Sequence, residues 1–385
     1  MAGTSQSNGA TLPRADAVRA ARGDLVFAIS ADYERRTGGW IYDARLMREL
    51  SALGWLVREL TLPAGFPAPS ERARAQSAAA FAALPDGTLV VVDQLCLGVL
   101  PEVARREAQR LRLVMIVHHP LVLELCSTSA DESSLGPSER EALRHVRLAI
   151  VTSEATARFL SEYFDVDASR ILVALPGTDS RPRSEGSESG PPSLLSVGAV
   201  VPRKNHGALI AALSRLRDEP WRLTIAGNTT RAPGHVAALR AGITAPGLQD
   251  RVHLTGELDD DAVELVWRRA DVYVAASLHE GFGMAIAEAI SRGLPVVTTE
   301  AGAVGEWLSS SAALIVPTGD IEALTVALAR VLREPETRSA LMRGAREQRA
   351  RLTRWHETAG RVDAALRRVM SGSHRAEAFR CEQLG

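Results

Sequence analysis

Two glutamates eight positions apart enclose a glycine-rich turn in the C-terminal half of the chain, Glu280 before it and Glu288 after it. Gly281, Phe282 and Gly283 follow Glu280, and a helix-forming run comes next. Glycines let a ligand approach the backbone closely, and the unpaired amides and dipole of a helix N-terminus attract anions. Carboxylates accept hydrogen bonds from hydroxyls but are poor phosphate ligands. The stretch therefore predicts a ligand with both phosphates and hydroxyls, such as a sugar nucleotide. The alternative is a solvated surface turn.

A basic turn is the second candidate for ligand binding. The sequence V-G-A-V-V-P-R-K-N-H-G follows a predicted strand and precedes a predicted helix, with Arg203 and Lys204 inside the turn. Cations at this point are well placed to neutralise a diphosphate. A merely solvated basic turn would have the same composition, and the nearby glutamate motif is what favours a binding role.

The two motifs together resemble a known enzyme family. E-G-F-G-M-A-I-A-E, followed by G-L-P-V-V-T-T-E-A-G-A-V-G-E, resembles the Glu-x7-Glu signature of retaining glycosyltransferase family 4, and the resemblance extends over most of residues 24–370. It implies the GT-B fold, in which two Rossmann-like domains face each other across a cleft and a C-terminal helix crosses back to the first domain. It also implies transfer of a hexose-type sugar from a nucleotide-diphosphate sugar, with a UDP-sugar favoured, to an acceptor hydroxyl.

The resemblance assigns roles to individual residues. Glu280 is expected at the transferred sugar, Glu288 at the ribose hydroxyls, and Lys204 matches the family lysine. The family arginine that directly follows the glycine is missing, because Ala199 stands there, and Arg203 is expected to supply that charge. The predicted catalytic residues are His118, Glu280, Lys204 and Arg203. The predicted donor-binding residues are Gly38, Gly39, Arg203, Lys204, Asn228, Leu258, Glu280, Gly281, Phe282, Gly283, Met284 and Glu288.

A histidine pair lies at the end of another predicted strand. His118 and His119 precede Pro120, which keeps the residue before it extended. The pattern H-x-P resembles the donor-pocket histidine of the family, so His118 is favoured over His119. We expect His118 to hydrogen-bond a sugar hydroxyl and, through its backbone carbonyl, to stabilise developing positive charge. The alternative is a histidine that makes only local hydrogen bonds.

Three consecutive aspartates raise the question of a metal site. Asp259, Asp260 and Asp261 form an acidic cluster of a kind that can bind magnesium. They directly precede a helical run, where aspartate is favoured as cap and first-turn residue. We therefore predict no metal and no cofactor. Arg203, Lys204 and the helix N-terminus would then offset the charge of a leaving diphosphate.

Composition excludes several other classes of protein. The net charge of −1 and 4% aromatic residues do not suit a nucleic-acid-binding protein. Three widely spaced cysteines predict neither a disulfide framework nor a zinc site. No apolar run is long enough to span a membrane, and the N-terminus has no apolar signal core. These features predict a cytoplasmic monomer or homodimer, and they leave peripheral membrane contact open.

Strands alternate with helices along both halves of the chain, which predicts two parallel sheets covered on both faces. The predicted strands are 24–30, 55–62, 88–93, 112–117, 148–152, 170–174, 194–197, 221–226, 252–254, 271–275, 295–298 and 313–316. A helix with Ile41, Leu46, Leu50 and Leu53 on one side follows the first strand. The other predicted helices are 71–84, 101–111, 138–144, 154–164, 207–216, 235–241, 260–268, 284–291, 321–333, 336–351 and 355–370.

The predicted domain organisation follows from these elements. A disordered leader, 1–22, precedes an N-terminal acceptor domain, 23–180, and a Ser-, Gly- and Pro-rich linker, 181–192. A donor domain, 193–352, a crossing helix, 353–371, and a flexible tail, 372–385, complete the chain.

Acceptor specificity is expected in the N-terminal loops 33–40, which include Arg35 and Arg36, and 121–137. The acceptor itself stays open. Two rival functions remain, a nucleotide-sugar epimerase of the same fold and a non-catalytic nucleotide-sugar-binding protein.

Overall fold

The structure is a computed structural model of the 385-residue chain. It describes residues 22–31, 37–124, 135–187, 189–244 and 247–372. Several predictions concern residues outside these ranges: nearly all of the leader, most of the tail, most of the acceptor loop 121–137, and Arg35 and Arg36. Within the described ranges, no helix has both the length and the apolar character needed to cross a membrane.

The N-terminal half forms one parallel sheet of six strands. The strands are β1 (Gly23–Ser30), β2 (Trp55–Leu62), β3 (Leu89–Asp93), β4 (Arg112–Val117), β5 (Leu148–Val151) and β6 (Ile171–Val173). Their order is β2-β1-β3-β4-β5-β6. The helices are α1 (Gly38–Ala52), α2 (Glu71–Ala82), α3 (Gln94–Leu97), α4 (Pro101–Glu107), α5 (Leu121–Glu124), α6 (Leu135–His145) and α7 (Glu154–Phe164). The inner strands are continuous apolar runs because both faces of the sheet are covered.

The C-terminal half repeats this architecture, with strand order β12-β11-β10-β7-β8-β9. The strands are β7 (Ser193–Val197), β8 (Arg222–Ala226), β9 (Val252–Gly256), β10 (Val272–Ala275), β11 (Val296–Thr299) and β12 (Ala313–Val316). The helices are α8 (His206–Ser214), α9 (Pro233–Ile243), α10 (Asp260–Arg268), α11 (Met284–Ser291), α12 (Val304–Trp307), α13 (Ile321–Arg333) and α14 (Pro335–Gln348). Two six-stranded parallel sheets with helices on both faces confirm the predicted fold class.

Apart from shifts of a few residues at the ends of several elements, the sequence prediction differs from the structure in two respects. The helices α3, α5 and α12 were not predicted, because four residues are too few to show a helical period. In α1, Ile41 was expected on the buried side, but it is 36% exposed and Tyr42 is buried instead. Tyr42, Leu46 and Leu50 are spaced four positions apart and therefore share one helix face, which Ile41 does not.

The last helix, α15 (Trp355–Ser371), returns to the first sheet. Its buried side packs with α1 and β1 in one apolar cluster, where Trp355 meets Tyr42 edge to face with ring centroids 5.8 Å apart. The chain segments that enter and leave the second half lie side by side, since the Thr178 amide donates to the Thr353 carbonyl over 2.8 Å. A Cβ added at Gly177 would collide with the backbone of Trp355. This close backbone contact requires glycine.

A buried carboxylate attaches α15 to β2. Asp363 accepts a 2.9 Å hydrogen bond from Trp55 Nε1 and a 2.7 Å bond from Arg22 Nη1. Its side chain is 6% exposed. Without this acceptor the indole N–H of Trp55 would be buried unpaired.

We predict that Asp363→Ala lowers the free energy of unfolding by about 1–3 kcal/mol, because a buried donor then loses its acceptor. Asp363→Asn, which keeps an oxygen for Trp55, should lose clearly less. Urea unfolding followed by tryptophan fluorescence measures both variants. A wild-type unfolding curve for Asp363→Ala would contradict the proposed attachment.

Candidate active site

Strand order brings the two predicted motifs of the C-terminal half together. β7 and β10 are neighbours in the sheet, although many residues separate them along the chain. Lys204 lies in the loop after β7, and Glu280 lies in the loop after β10. The carboxyl ends of parallel strands open at one sheet edge, where a change in strand order leaves a crevice for ligands. Both motifs therefore line the same crevice.

Glu280 is buried in this crevice and paired with the basic turn. Lys204 Nζ and Ser277 Oγ each donate to Glu280 Oε1 over 2.6 Å. Arg203 Nη1 lies 3.7 Å from Oε2 and donates to the carbonyl of His279 over 2.8 Å. The predicted catalytic residues Arg203, Lys204 and Glu280 thus form one cluster.

The protonation state of Glu280 follows from these contacts. Burial on its own would raise the pKa of the carboxyl, because it disfavours the charged form. Lys204 and then Arg203 outweigh burial and lower the pKa of Glu280 to about 2. The carboxylate therefore stays ionised around neutral pH, as a hydrogen-bond acceptor for hydroxyls.

The glycine loop after Glu280 makes a close contact with the N-terminal half. A Cβ added at Gly281 would collide with the carbonyl oxygen of His118. Gly283 has a φ of 91° and precedes α11, whose N-terminus has no side-chain cap. The ring of Phe282 is buried and stacks on Trp307 at 5.0 Å between centroids. A ligand in the crevice can therefore contact the backbone of Phe282 but not its ring.

The second glutamate of the motif lies within α11. Glu288 Oε1 is 3.1 Å from Arg292 Nη2, and the side chain is 32% exposed. Arg292 is almost fully buried and also makes two 2.7 Å hydrogen bonds to Glu264. Arg292 thus fixes one oxygen of Glu288, while the exposed part of the carboxylate can meet a ligand.

The N-terminal glycines approach the same loop. Gly38 begins α1, and a Cβ there would lie 3.5 Å from the sulfur of Met284, the first residue of α11. Thr37 caps α1 by accepting from the amide of Trp40 over 3.2 Å. Gly39 is the next residue of the helix. The structure thus brings Gly38 and Met284 together across the crevice.

The remaining predicted donor residues lie at the ends of β8 and β9. Asn228 Oδ1 accepts from the amides of Thr230 and Arg231 over 2.9 and 3.1 Å, so its side chain shapes a turn. Leu258 is half-buried after β9.

The three consecutive aspartates lie at the start of α10. Asp259 caps α10 by accepting from the amide of Ala262 over 2.8 Å. Asp260 and Asp261 occupy the first turn of α10, in agreement with the predicted capping role of the three aspartates.

His118 faces two carboxylates that the sequence analysis did not identify. Its Nε2 lies 3.2 Å from Asp43 Oδ1 and 3.6 Å from Asp93 Oδ2. The ring meets Tyr42 edge to face at 5.4 Å, and the His118 carbonyl accepts from Thr152 Oγ1 over 2.8 Å. Asp93 ends a buried strand, a position from which it could have been identified. Asp43 lies among the buried residues of α1, and the apolar pattern of that helix does not show that this position carries a functional side chain.

Burial and the neighbouring charges shift the pKa values of Asp43 and His118. Burial, the largest effect, raises the pKa of Asp43, and the neighbouring Asp93 adds to it although His118 opposes it. Burial alone would lower the pKa of His118, but Asp43 and Asp93 outweigh it and raise that pKa. Among the described residues, Asp43, Asp93 and His118 are also the one group of three or more His, Cys, Asp or Glu side chains whose possible metal-ligand atoms all lie within 4.8 Å of one another.

A carboxylate from the second half also contacts the first half. Glu306 of α12 accepts from the amide of Ala155 near the start of α7 over 3.0 Å and pairs with Arg158. The rings of His119 and His279 also face each other at 6.0 Å between centroids. The crevice is therefore bounded by both halves of the chain.

The sequence has relatives among characterised glycosyltransferases. Residues 178–348 match the family described as glycosyl transferases group 1. The chain is similar to the lipopolysaccharide core biosynthesis mannosyltransferase LpcC of Rhizobium leguminosarum bv. viciae, at 29% identity over 55% of this chain and 62% of that protein. It is also similar to the MMP alpha-(1->4)-mannosyltransferase of Mycolicibacterium hassiacum, at 26% identity over 81% of this chain and 78% of that protein.

Solved structures share the whole architecture. Sucrose-phosphate synthase from Thermosynechococcus elongatus superposes with a TM-score of 0.77 at 20% identity, covering 91% of this chain and 100% of that one. HepE from Anabaena, solved with UDP and glucose, superposes with a TM-score of 0.72 at 17% identity, covering 89% of this chain and 99% of that one. The chain therefore has the GT-B fold, and its second half matches the group 1 glycosyl transferases.

Proposed function

We propose that this protein is a retaining glycosyltransferase of family 4. It would move a hexose-type sugar from a nucleotide-diphosphate sugar to a hydroxyl of an acceptor. The observation that carries the proposal is the buried Lys204–Glu280 pair beside the uncapped start of α11, with Glu288 further along that helix. The family match and the named relatives support it independently.

The charges of the cluster suit both ends of such a donor. An ammonium has three N–H donors, and Lys204 uses one of them on Glu280, which leaves donors for a phosphate. Arg203 and the amides at the start of α11 add positive potential for the diphosphate. The ionised Glu280 is an acceptor for sugar hydroxyls, and Glu288 is proposed to accept from the ribose.

The proposed reaction is a front-face transfer. The acceptor oxygen forms its bond to the anomeric carbon on the face from which the diphosphate departs, through an oxocarbenium-like state. The acceptor proton passes to the leaving phosphate oxygen, so the products are a nucleoside diphosphate and a glycoside of unchanged configuration. The protein contributes positioning and electrostatic stabilisation of the leaving group. His118 is proposed to contact a sugar hydroxyl.

The donor and the setting are further parts of the proposal. A UDP-linked hexose is favoured, in line with the UDP and glucose in the HepE structure, and GDP-mannose is second because two relatives are mannosyltransferases. We further propose that the reaction needs no metal or cofactor and takes place in the cytoplasm. An epimerase of the same fold or a non-catalytic binding protein remains the rival function.

The donor site can be tested with a thermal-shift panel of UDP, GDP, ADP and TDP sugars. We expect one nucleotide to raise the melting temperature, and Glu288→Ala to weaken that shift because the ribose loses its acceptor. Glu264→Ala is the matched control: it removes another partner of Arg292 but no predicted donor contact. Equal shifts in Glu288→Ala and Glu264→Ala would contradict the ribose role, and no shift with any nucleotide would contradict donor binding.

Metal independence gives a second test, once the donor and an acceptor are known. We expect the transfer rate to be unchanged after dialysis against EDTA, since Lys204 and Arg203 supply the positive charge. Lys204→Met should reduce the rate on the order of a hundredfold or more, as for loss of one preorganised charge at a leaving group. Loss of wild-type activity in EDTA that magnesium restores would refute the proposal.

The stereochemical outcome gives a third test. Proton NMR of the product should show the same anomeric configuration as the donor. Inversion would exclude front-face transfer. Conversion of the sugar nucleotide into an isomer without any acceptor would instead favour the epimerase.

A further inference from the structure

We propose that Asp43 is a positioning residue for sugar transfer: together with Asp93 it holds Nε2 of His118 as a proton donor, so that the ring meets the donor sugar through Nδ1. The inference rests on the proposed function, because it requires a sugar bound beside His118. It adds two carboxylates, neither predicted from the sequence, to the residues that prepare the site.

The geometry defines which ring nitrogen is engaged. Nε2 of His118 lies 3.2 Å from one carboxylate and 3.6 Å from the other, at ion-pair distance although neither contact has hydrogen-bond geometry. A bare nitrogen lone pair would be repelled by two carboxylates, so Nε2 must carry hydrogen whenever both are ionised. Any polar contact of the ring with a bound sugar then falls to Nδ1.

The two aspartates reach the histidine from different elements. Asp43 comes from α1, and Asp93 comes from the end of β3, where its other oxygen caps α3 by accepting from the amide of Leu95 over 2.5 Å. Tyr42 packs against the ring but donates its hydroxyl to the carbonyl of Ala174 over 3.0 Å. The orientation of His118 is thus restricted from several sides by groups with fixed positions of their own.

The same groups determine the charge of the ring. Asp43 and Asp93 are the titratable groups that raise the pKa of His118 against the effect of burial. A folded pKa above the value of about 6.5 for a free histidine favours the imidazolium form of the ring at neutral pH. Nδ1 is then a donor as well. His118 would therefore donate to a sugar oxygen and not accept from a sugar hydroxyl.

The position of His118 explains why its orientation matters for transfer. Its carbonyl oxygen touches Gly281, the residue next to Glu280. The histidine backbone therefore lies against the loop that is proposed to hold the sugar, and a ring turned elsewhere would lose its contact with the donor. A side chain that orients a functional histidine by pairing with its other ring nitrogen commonly contributes about tenfold to a hundredfold to activity.

The protonation state can be measured on the wild-type protein without any assay of activity. Heteronuclear NMR of ¹⁵N-histidine-labelled protein, with His118→Gln to assign the signal, distinguishes imidazolium from either neutral tautomer. We expect His118 to stay doubly protonated from pH 6 to pH 8.5 and to show a lower titration midpoint in Asp43→Asn. A wild-type His118 that titrates near pH 6.5, or that is protonated only on Nδ1, would overturn the inference.

Kinetics supply the second readout. We expect Asp43→Asn to lower kcat by about tenfold or more, with an activity that falls as pH rises through the lowered pKa of His118, which keeps only Asp93 to oppose the effect of burial. The wild-type rate should not show this fall. Glu107→Gln is the matched control, because Glu107 is a buried carboxylate at the end of helix α4 in the same half of the chain, and it pairs with Arg106 and Arg110. An Asp43→Asn pH profile equal to wild type would contradict the proposal.

Metal analysis separates the inference from its main rival. The spacing of the three side chains would also suit a divalent cation, so the purified protein should be analysed for bound metal. A stoichiometric ion that is absent from Asp43→Asn would overturn the inference. If no sugar nucleotide shifts the wild-type melting temperature, the proposed function fails, whereas the NMR titration still decides the protonation of His118.

Discussion

The buried ion pair between Lys204 and Glu280 is the interaction on which the arrangement of the second half depends. A carboxylate with 8% exposure is costly to bury, and its removal from water is offset only by excellent pairing. Two cations and the hydroxyl of Ser277 provide that pairing. The pair forms because β7 and β10 are neighbours, so the sheet order is a precondition of the site.

Close backbone contacts then give the crevice its shape. Gly281 touches the carbonyl of His118, Gly302 touches the carbonyl of Glu280, and Gly227 touches the carbonyl of Gly198. At each point a side chain would push the two backbones apart. The glycines near the site therefore bring together loops that belong to different strands, and in one case to different halves of the molecule. The contact between Glu306 and the start of α7 joins the two halves at a further point.

The two walls of the crevice use charge in different ways. The wall from the second half contains cations and the start of a helix, around one ionised carboxylate. The wall from the first half contains the buried aspartates Asp43 and Asp93 behind His118. In the proposed reaction, the cations of the second half would meet the diphosphate. The aspartates of the first half would hold an imidazolium at the sugar. A ligand with separate anionic and hydroxyl-rich ends suits this division.

The sequence by itself determined the fold class and the main motifs. The alternation of strands and helices predicts parallel sheets, and it can be read from the sequence because the apolar spacing of each element is visible within a few residues. Three helices begin and end where the pattern predicts, Met284–Ser291, Glu154–Phe164 and Ile321–Arg333. Glu280 and Lys204 stood out because they lie in turns between a strand and a helix, and Glu288 stood out because it follows Glu280 at the spacing of the family signature. Tertiary structure alone decided that Lys204 contacts Glu280 and that Asp43 contacts His118. These pairs depend on strand order, which leaves no local trace in the chain, and on what a polar side chain on a buried helix face meets, which the apolar period of the helix does not reveal.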